Sequence, residues 1–171
     1  MQKMTSAYAN KMLRSLAEDK AFWVNKEDTS STYVAALNEK PVVPEYDYAE
    51  VAALIEEIDE KTAIIKHALN VSNANAKVKV GDTEMSIDTI LIRMAQLSRR
   101  KYTLDYMRKQ LPKTRVEQRS SMSRNAVPEY KYINYNLDLI KQEYERISGL
   151  IMEMQMALDM YNQTVQFEVD I

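Results

Sequence analysis

The chain has 171 residues, a net charge of −2, and an ordinary balance of 46% apolar and 28% charged residues, enough to bury a core. With no cysteine it has no disulfide, no thiolate metal site and no Cys nucleophile. Its two glycines and four prolines favour long helices and exclude a glycine-rich phosphate loop, and no apolar run approaches the roughly 18 residues of a membrane span.

In chain order, Tyr8, Met12, Leu13, Leu16 and Trp23 predict a helix over about 3–24, followed by a polar loop from Lys26 to Ser31. Thr32 to Leu37 reads as a short strand. Pro41 and Pro44 then bar a helix, and Tyr46 and Tyr48 alternate as on a strand edge. A second helix is predicted over about 48–70, because Val51, Ile55, Ile58, Thr62, Ile65 and Leu69 alternate steps of four and three, a heptad seam. Its outer face is acidic. Lys77 to Val80, Gly81-Asp82 and Thr83 to Met85 form a hairpin with glycine first in its two-residue turn. Ser86 caps a third helix over about 87–111, with Ile87, Ile90, Leu91, Met94, Leu97, Leu104 and Leu111 inside, and Pro112 ends it.

After a polar, basic connection over 112–127, the clearest element is a fourth helix over about 136–162. Leu137, Ile140, Tyr144, Ile147, Ile151, Met154, Leu158 and Tyr161 form its coiled-coil seam, widened by Leu139, Leu150 and Ala157. Gly149 in mid-helix implies either a close helix crossing or simple tolerance. From Val165 to Ile171 the alternation is that of a strand, acidic where Lys77 and Lys79 are basic, so these two strands are expected to pair, within one chain or between two. The eleven tyrosines and eleven methionines read as packing residues.

Val43-Pro44-Glu45-Tyr46-Asp47-Tyr48 recurs as Val127-Pro128-Glu129-Tyr130-Lys131-Tyr132, and each copy opens a long amphipathic stretch. The stretches close on Leu69-Asn70-Val71-Ser72 and Tyr161-Asn162-Gln163-Thr164. This predicts a single duplicated domain over 1–171, with repeats of about 1–80 and 81–171, whose copies cover each other's apolar faces or those of another subunit. The expected fold is mainly α: a four-helix antiparallel coiled coil or bundle built from two helix-strand repeats, with a small β-hairpin and a terminal strand.

The succession of Leu69-Asn70-Val71-Ser72-Asn73, the Gly81 hairpin, the basic stretch ending Ser121-Met122-Ser123-Arg124, the strand Tyr130-Lys131-Tyr132, the last helix and Asn162-Gln163-Thr164 resembles the septicolysin-like family of small bacterial and phage coiled-coil proteins. The likeness covers about residues 50–171 and implies a fold rather than a function. The family's paired arginine and acidic residue early in the third helix is not matched, since Arg93 stands alone, and its tryptophan near the end is absent.

Charge is unevenly spread. From Arg93 to Lys131, eleven basic residues face only Asp105, Glu117 and Glu129, so this segment is +8 and the remainder −10. Arginine forks, serine hydroxyls and tyrosine faces are the parts of a site for an anionic ligand such as a nucleotide; the candidates are Arg99, Arg100, Arg108, Arg115, Arg119, Ser121, Ser123, Arg124, Tyr130 and Tyr132. The same stretch is equally read as a solvated face or a partner for the acidic second helix. The acidic remainder argues against nucleic acid. His67, the only histidine, suits a structural or surface place near a helix end, and Glu56 with Glu60 reads as solvated charge, so no metal or cofactor is expected. With no nucleophile elbow or zinc signature, the expectation is a non-enzymatic homo-oligomer, joined through the fourth helix and terminal strand and acting as a scaffold or interaction module. The alternative is a module that sequesters a small anionic ligand through 93–131. Met1 to Ser6 lacks an apolar stretch, so a cytoplasmic location is expected.

Overall fold

The computed structural model describes residues 1–116 and 127–171. In order these form β1 (Gln2–Thr5), α1 (Ser6–Ser30), α2 (Tyr48–Asn75), β2 (Lys77–Val80), β3 (Thr83–Ser86), α3 (Ile87–Arg108), β4 (Lys113–Arg115), β5 (Tyr130–Tyr132), α4 (Leu137–Thr164) and β6 (Gln166–Val169). The fold is mainly α, with three antiparallel strand pairs: β1–β6, β2–β3 and β4–β5.

Side-chain caps set the helix starts. Thr5 Oγ1 accepts from the Tyr8 N–H at 3.2 Å, Asp47 Oδ1 from that of Glu50 at 3.1 Å, and Asn136 Oδ1 from those of Asp138 and Leu139 at 2.9 and 3.1 Å. The Asp47 cap explains why Tyr46 and Tyr48 are not a strand: Tyr48 is already the first residue of α2. Residues 32–37 are irregular rather than a strand, with Val34 and Leu37 fully exposed and no neighbouring strand among the described residues. Helix α1 runs through most of the expected Lys26–Ser31 loop, to Ser30. Lys26 lies over the Trp23 ring at 5.3 Å, and Tyr46 donates to Glu27 at 3.2 Å, which holds the last turns together.

The 4-3 spacing governs burial in α2, α3 and α4. In α2 and α4 every predicted seam residue is buried or half-buried. In α3 the inward series is Ile87, Ile90, Met94, Leu97, Lys101, Leu104 and Arg108. Leu91, Leu111, Leu139 and Tyr8, expected inside or on an apolar face, are exposed. Leu91, Leu139 and Tyr8 stand beside inward residues, and the 100° step between neighbours carries them outward; Leu111 lies beyond α3, which ends at Arg108 and not at 111 as expected. Among the described residues nothing lies within 4 Å of where a side chain at Gly149 would begin, so none of them makes a close crossing there.

Residues Met1–Asp88 with Ala157–Ile171 form one compact unit and Thr89–Met156 another, a division that does not follow the two predicted repeats. In the first unit α1 lies antiparallel on α2. Its core joins Met4, Ala9, Ile65 and Val169, with Met12, Leu13, Leu16, Ala68 and Phe167 packed against them. Lys20 and Asp59 bridge α1 and α2 at 2.6 Å. Strand β6 pairs with β1, Gln2 opposite Val169, and not with β2 of its own chain as expected; β2 is taken by β3 through the Gly81-Asp82 turn. Gly81 has φ 57°, and Asp82, like every other non-glycine among the described residues, does not have positive φ, which makes this a type II′ turn. In the second unit, Ile90 and Leu104 of α3 and Ile147 and Met154 of α4 are buried, and the helices are linked through β4–β5.

Helices α2 and α4 are both 28 residues long, both open on an Asx cap, and both run after one residue into a four-residue strand. Positions 89 apart correspond: Leu69 with Leu158, Val80 with Val169. Ser72 and Tyr161 are such a pair, and their hydroxyls share a hydrogen bond of 2.7 Å.

Candidate functional site

The ten candidate residues part company. Arg119, Ser121, Ser123 and Arg124 lie outside the described residues. Arg99 and Arg100 are exposed on α3. Arg108 turns into the seam instead, its guanidinium 4.1 Å from the Tyr144 ring centre, with Lys101 over the same ring at 5.3 Å. Asp105 accepts from Arg108 Nε at 2.8 Å and also from Lys109. The Lys109 bond, then that of Arg108, holds the Asp105 carboxyl below its usual range, and the bond to Asp105 raises Arg108 further. Arg108 therefore braces the end of α3.

Arg115, Tyr130 and Tyr132 are brought together. In the β4–β5 ribbon Lys113 stands opposite Tyr132 and Arg115 opposite Tyr130, while Thr114 and Lys131 form the alternate pair. Directly opposed residues share a face, so one side of the ribbon carries two cations and two phenol rings and no carboxylate. Lys113 Nζ lies 4.1 Å from the Tyr130 ring centre and 5.5 Å from that of Tyr132. All six strand residues are exposed. The ribbon is anchored by backbone bonds from Val116 to Glu129 and from Ile133 to Pro112, and by Tyr135 donating to the Met107 carbonyl at 2.8 Å. Lys113, one of the basic residues of 93–131, and Tyr144, a seam residue, were not among the ten candidates: the strand pairing is what places the first beside the tyrosines, and the α3–α4 register the second under Arg108.

Two of the grooves in the first unit lie between a long helix and a strand. One, about 670 Å³, lies between α2 and β6; Ile64, Ala68, Val71 and Phe167 floor it, and His67, Glu168 and Asp170 stand on its rim. The other, about 310 Å³, lies between α4 and β2, with Ala157, Met160, Tyr161 and Val78 as floor and Lys79 on the rim. Glu56, Asp59 and Glu60 line a separate acidic cleft of about 380 Å³ with Glu27 and Tyr48. No group of three metal-binding side chains occurs among the described residues, and none of their helices is long and apolar enough to cross a membrane.

No family model, curated protein or solved structure matches the chain, so the septicolysin-like resemblance rests on its short motifs.

Proposed function

We propose that this protein is a non-enzymatic, self-associating helical scaffold, whose output is the surface it offers to copies of itself and to partners. The observation that carries this reading is a set of exposed apolar side chains. With the seam residues of α3 and α4 buried or half-buried, Ile92 on α3 and Leu139, Met152 and Met156 on α4 still stand about 60% exposed or more. Met152 and Met156 are four residues apart and so share one face of α4. Exposed apolar side chains grouped in this way mark an interaction face. Native mass spectrometry under gentle and denaturing conditions tests it. A closed oligomer at bare protein mass supports the scaffold, and a monomer at all concentrations refutes it.

The β4–β5 ribbon favours a second reading, capture of a small anionic ligand. Lys113 and Arg115 would hold phosphate oxygens, and Tyr130 and Tyr132 would offer faces to a base. Titration with a nucleoside triphosphate and with pyrophosphate tests this reading. Binding lost in the double variant Lys113→Ala with Arg115→Ala, at unchanged assembly, supports it; no binding to the unaltered protein refutes it.

A further inference from the structure

The strand pairing leaves two edges open. β6 is bonded to β1 and β2 to β3, and among the described residues no strand lies along the other edge of either. A row of unmet backbone donors and acceptors on a short ribbon is a template for another strand. The two grooves run along these edges: the larger takes residues from α2 and β6 and none from β1, the smaller from α4 and β2 and none from β3. They are the same groove made twice. Ala68, Val71, Ser72 and Asn75 of the first correspond, 89 residues on, to Ala157, Met160, Tyr161 and Thr164 of the second, and Val78 and Lys79 to Phe167 and Glu168.

The edges differ in sign. β2 and β6 alternate alike, exposed, half-buried, exposed, buried, but β2 exposes Lys77 and Lys79 where β6 exposes Gln166 and Glu168, with Asp170 beyond. Within the chain each ribbon already pairs opposite charges. Lys79 stands opposite Glu84, and Lys3 bridges Glu168 at 3.6 Å. Glu168 and Asp170, the latter 3.6 Å from the Met1 amine, remain 58% and 85% exposed at their side chains, so both can meet a further cation.

We propose that the β6 edge of one copy docks on the β2 edge of a second copy, giving a four-stranded sheet in the order β1-β6-β2-β3 shared by two chains. Across it the exposed charges read Lys3, Glu168, Lys79, Glu84, alternating through the junction. Joining β2 to β2 would set lysine against lysine, and β6 to β6 carboxylate against carboxylate, so the same side chains that invite the unlike edge repel the like one. The contact is heterologous: every copy carries both halves, and copies join head to tail, into a ring where the rotation closes and into a filament where it does not. Val71 and Met160, 45% and 70% exposed in the grooves, become covered at the junction.

The inference rests on the self-association proposed above, and charge reversal separates the two. Native mass spectrometry and light scattering are applied to the unaltered chain, to Lys77→Glu with Lys79→Glu, and to Glu168→Lys with Asp170→Lys. Each double variant is expected to run as a monomer, with at least a tenfold rise in dissociation constant. Mixed in equal amounts they reassemble, because every junction then sets an acidic edge against a basic one. Reversed variants that assemble like the unaltered chain overturn the junction and leave the scaffold standing, as does a mixture that stays monomeric. A monomeric unaltered chain overturns both. If far-ultraviolet circular dichroism finds a reversed variant unfolded, the neutral pair Lys79→Gln and Glu168→Gln reads the same junction, and unchanged dissociation in both overturns it.

Discussion

Replacing Gly149 with alanine should make the protein more stable. The residue lies near the middle of the 28 residues of α4, where glycine is about 1 kcal/mol worse than alanine because its unfolded chain has more freedom to lose. Two conditions decide whether that gain is realised. The backbone must accept a side chain, and it does: of the two glycines only Gly81 has positive φ, so Gly149 is an ordinary helical residue. The added methyl must have room, and nothing lies within 4 Å of it. The expected gain is therefore about 0.5–1 kcal/mol, a rise in melting temperature of roughly 1–4 °C for a chain of this size. Urea unfolding followed by circular dichroism measures the first and a thermal melt the second, both at fixed protein concentration. An unchanged or lower midpoint would refute the reasoning. If assembly weakened at the same time, a second chain would have to approach the bare backbone of α4 at this point.

Gly81→Ala should cost about 1–2 kcal/mol, because φ 57° is strained for any side chain; urea unfolding reads it, and the opposite signs at two glycines make each a control for the other. Ile65→Ala, at a fully buried site in the α1–α2 core, should cost about 2–5 kcal/mol in the same assay. Tyr161→Phe should cost about 0.5–1.5 kcal/mol by leaving the Ser72 hydroxyl without its partner. The Asp105 carboxyl is held below its usual range, so its stabilisation is fully present above the ordinary Asp value of about 3.9 and is lost as the pH falls through the lowered one. Melting temperature should therefore decline on acidifying below about pH 4, and less steeply in Asp105→Asn.

Periodicity made the helices legible. A strict 4-3 spacing can be satisfied by one face only, and every seam residue of α2 and α4 turned inward. Local turn chemistry was equally readable: Gly81 permits the backbone that the hairpin requires. The misreadings arose where a side chain's partner is remote in sequence. The charges of Lys77 and Glu168 are complementary, but nothing local says that within the chain β1, at the other end of the sequence, already occupies one edge of β6, which leaves only the pairing between chains open. The Val-Pro-Glu-Tyr recurrence marks two different local structures. In one copy Asp47 caps a helix immediately after, and in the other Tyr130 to Tyr132 meets a strand built from Lys113 to Arg115. Arg108 showed as a charge and not as the brace it forms on Tyr144, because that depends on the register of two helices. The ribbon face likewise needed its pairing before Lys113 could be seen beside the tyrosines.

The two ribbons of the first unit look alike and differ in history. β2 and β3 are separated by two residues, and β1 and β6 by roughly 160. Closing the longer loop costs about 3–4 kcal/mol more in chain entropy. The hairpin at Gly81 can therefore form within microseconds, while β1–β6 must wait until α3 and α4 have been laid down between its strands. Met4 and Val169, half of the buried cluster beneath α1, arrive only with that last pairing. A chain whose helices formed before β1–β6 paired would leave this core open, and the β6 strand of a neighbour would then fit the place on β1, entangling two chains by exchange of a strand.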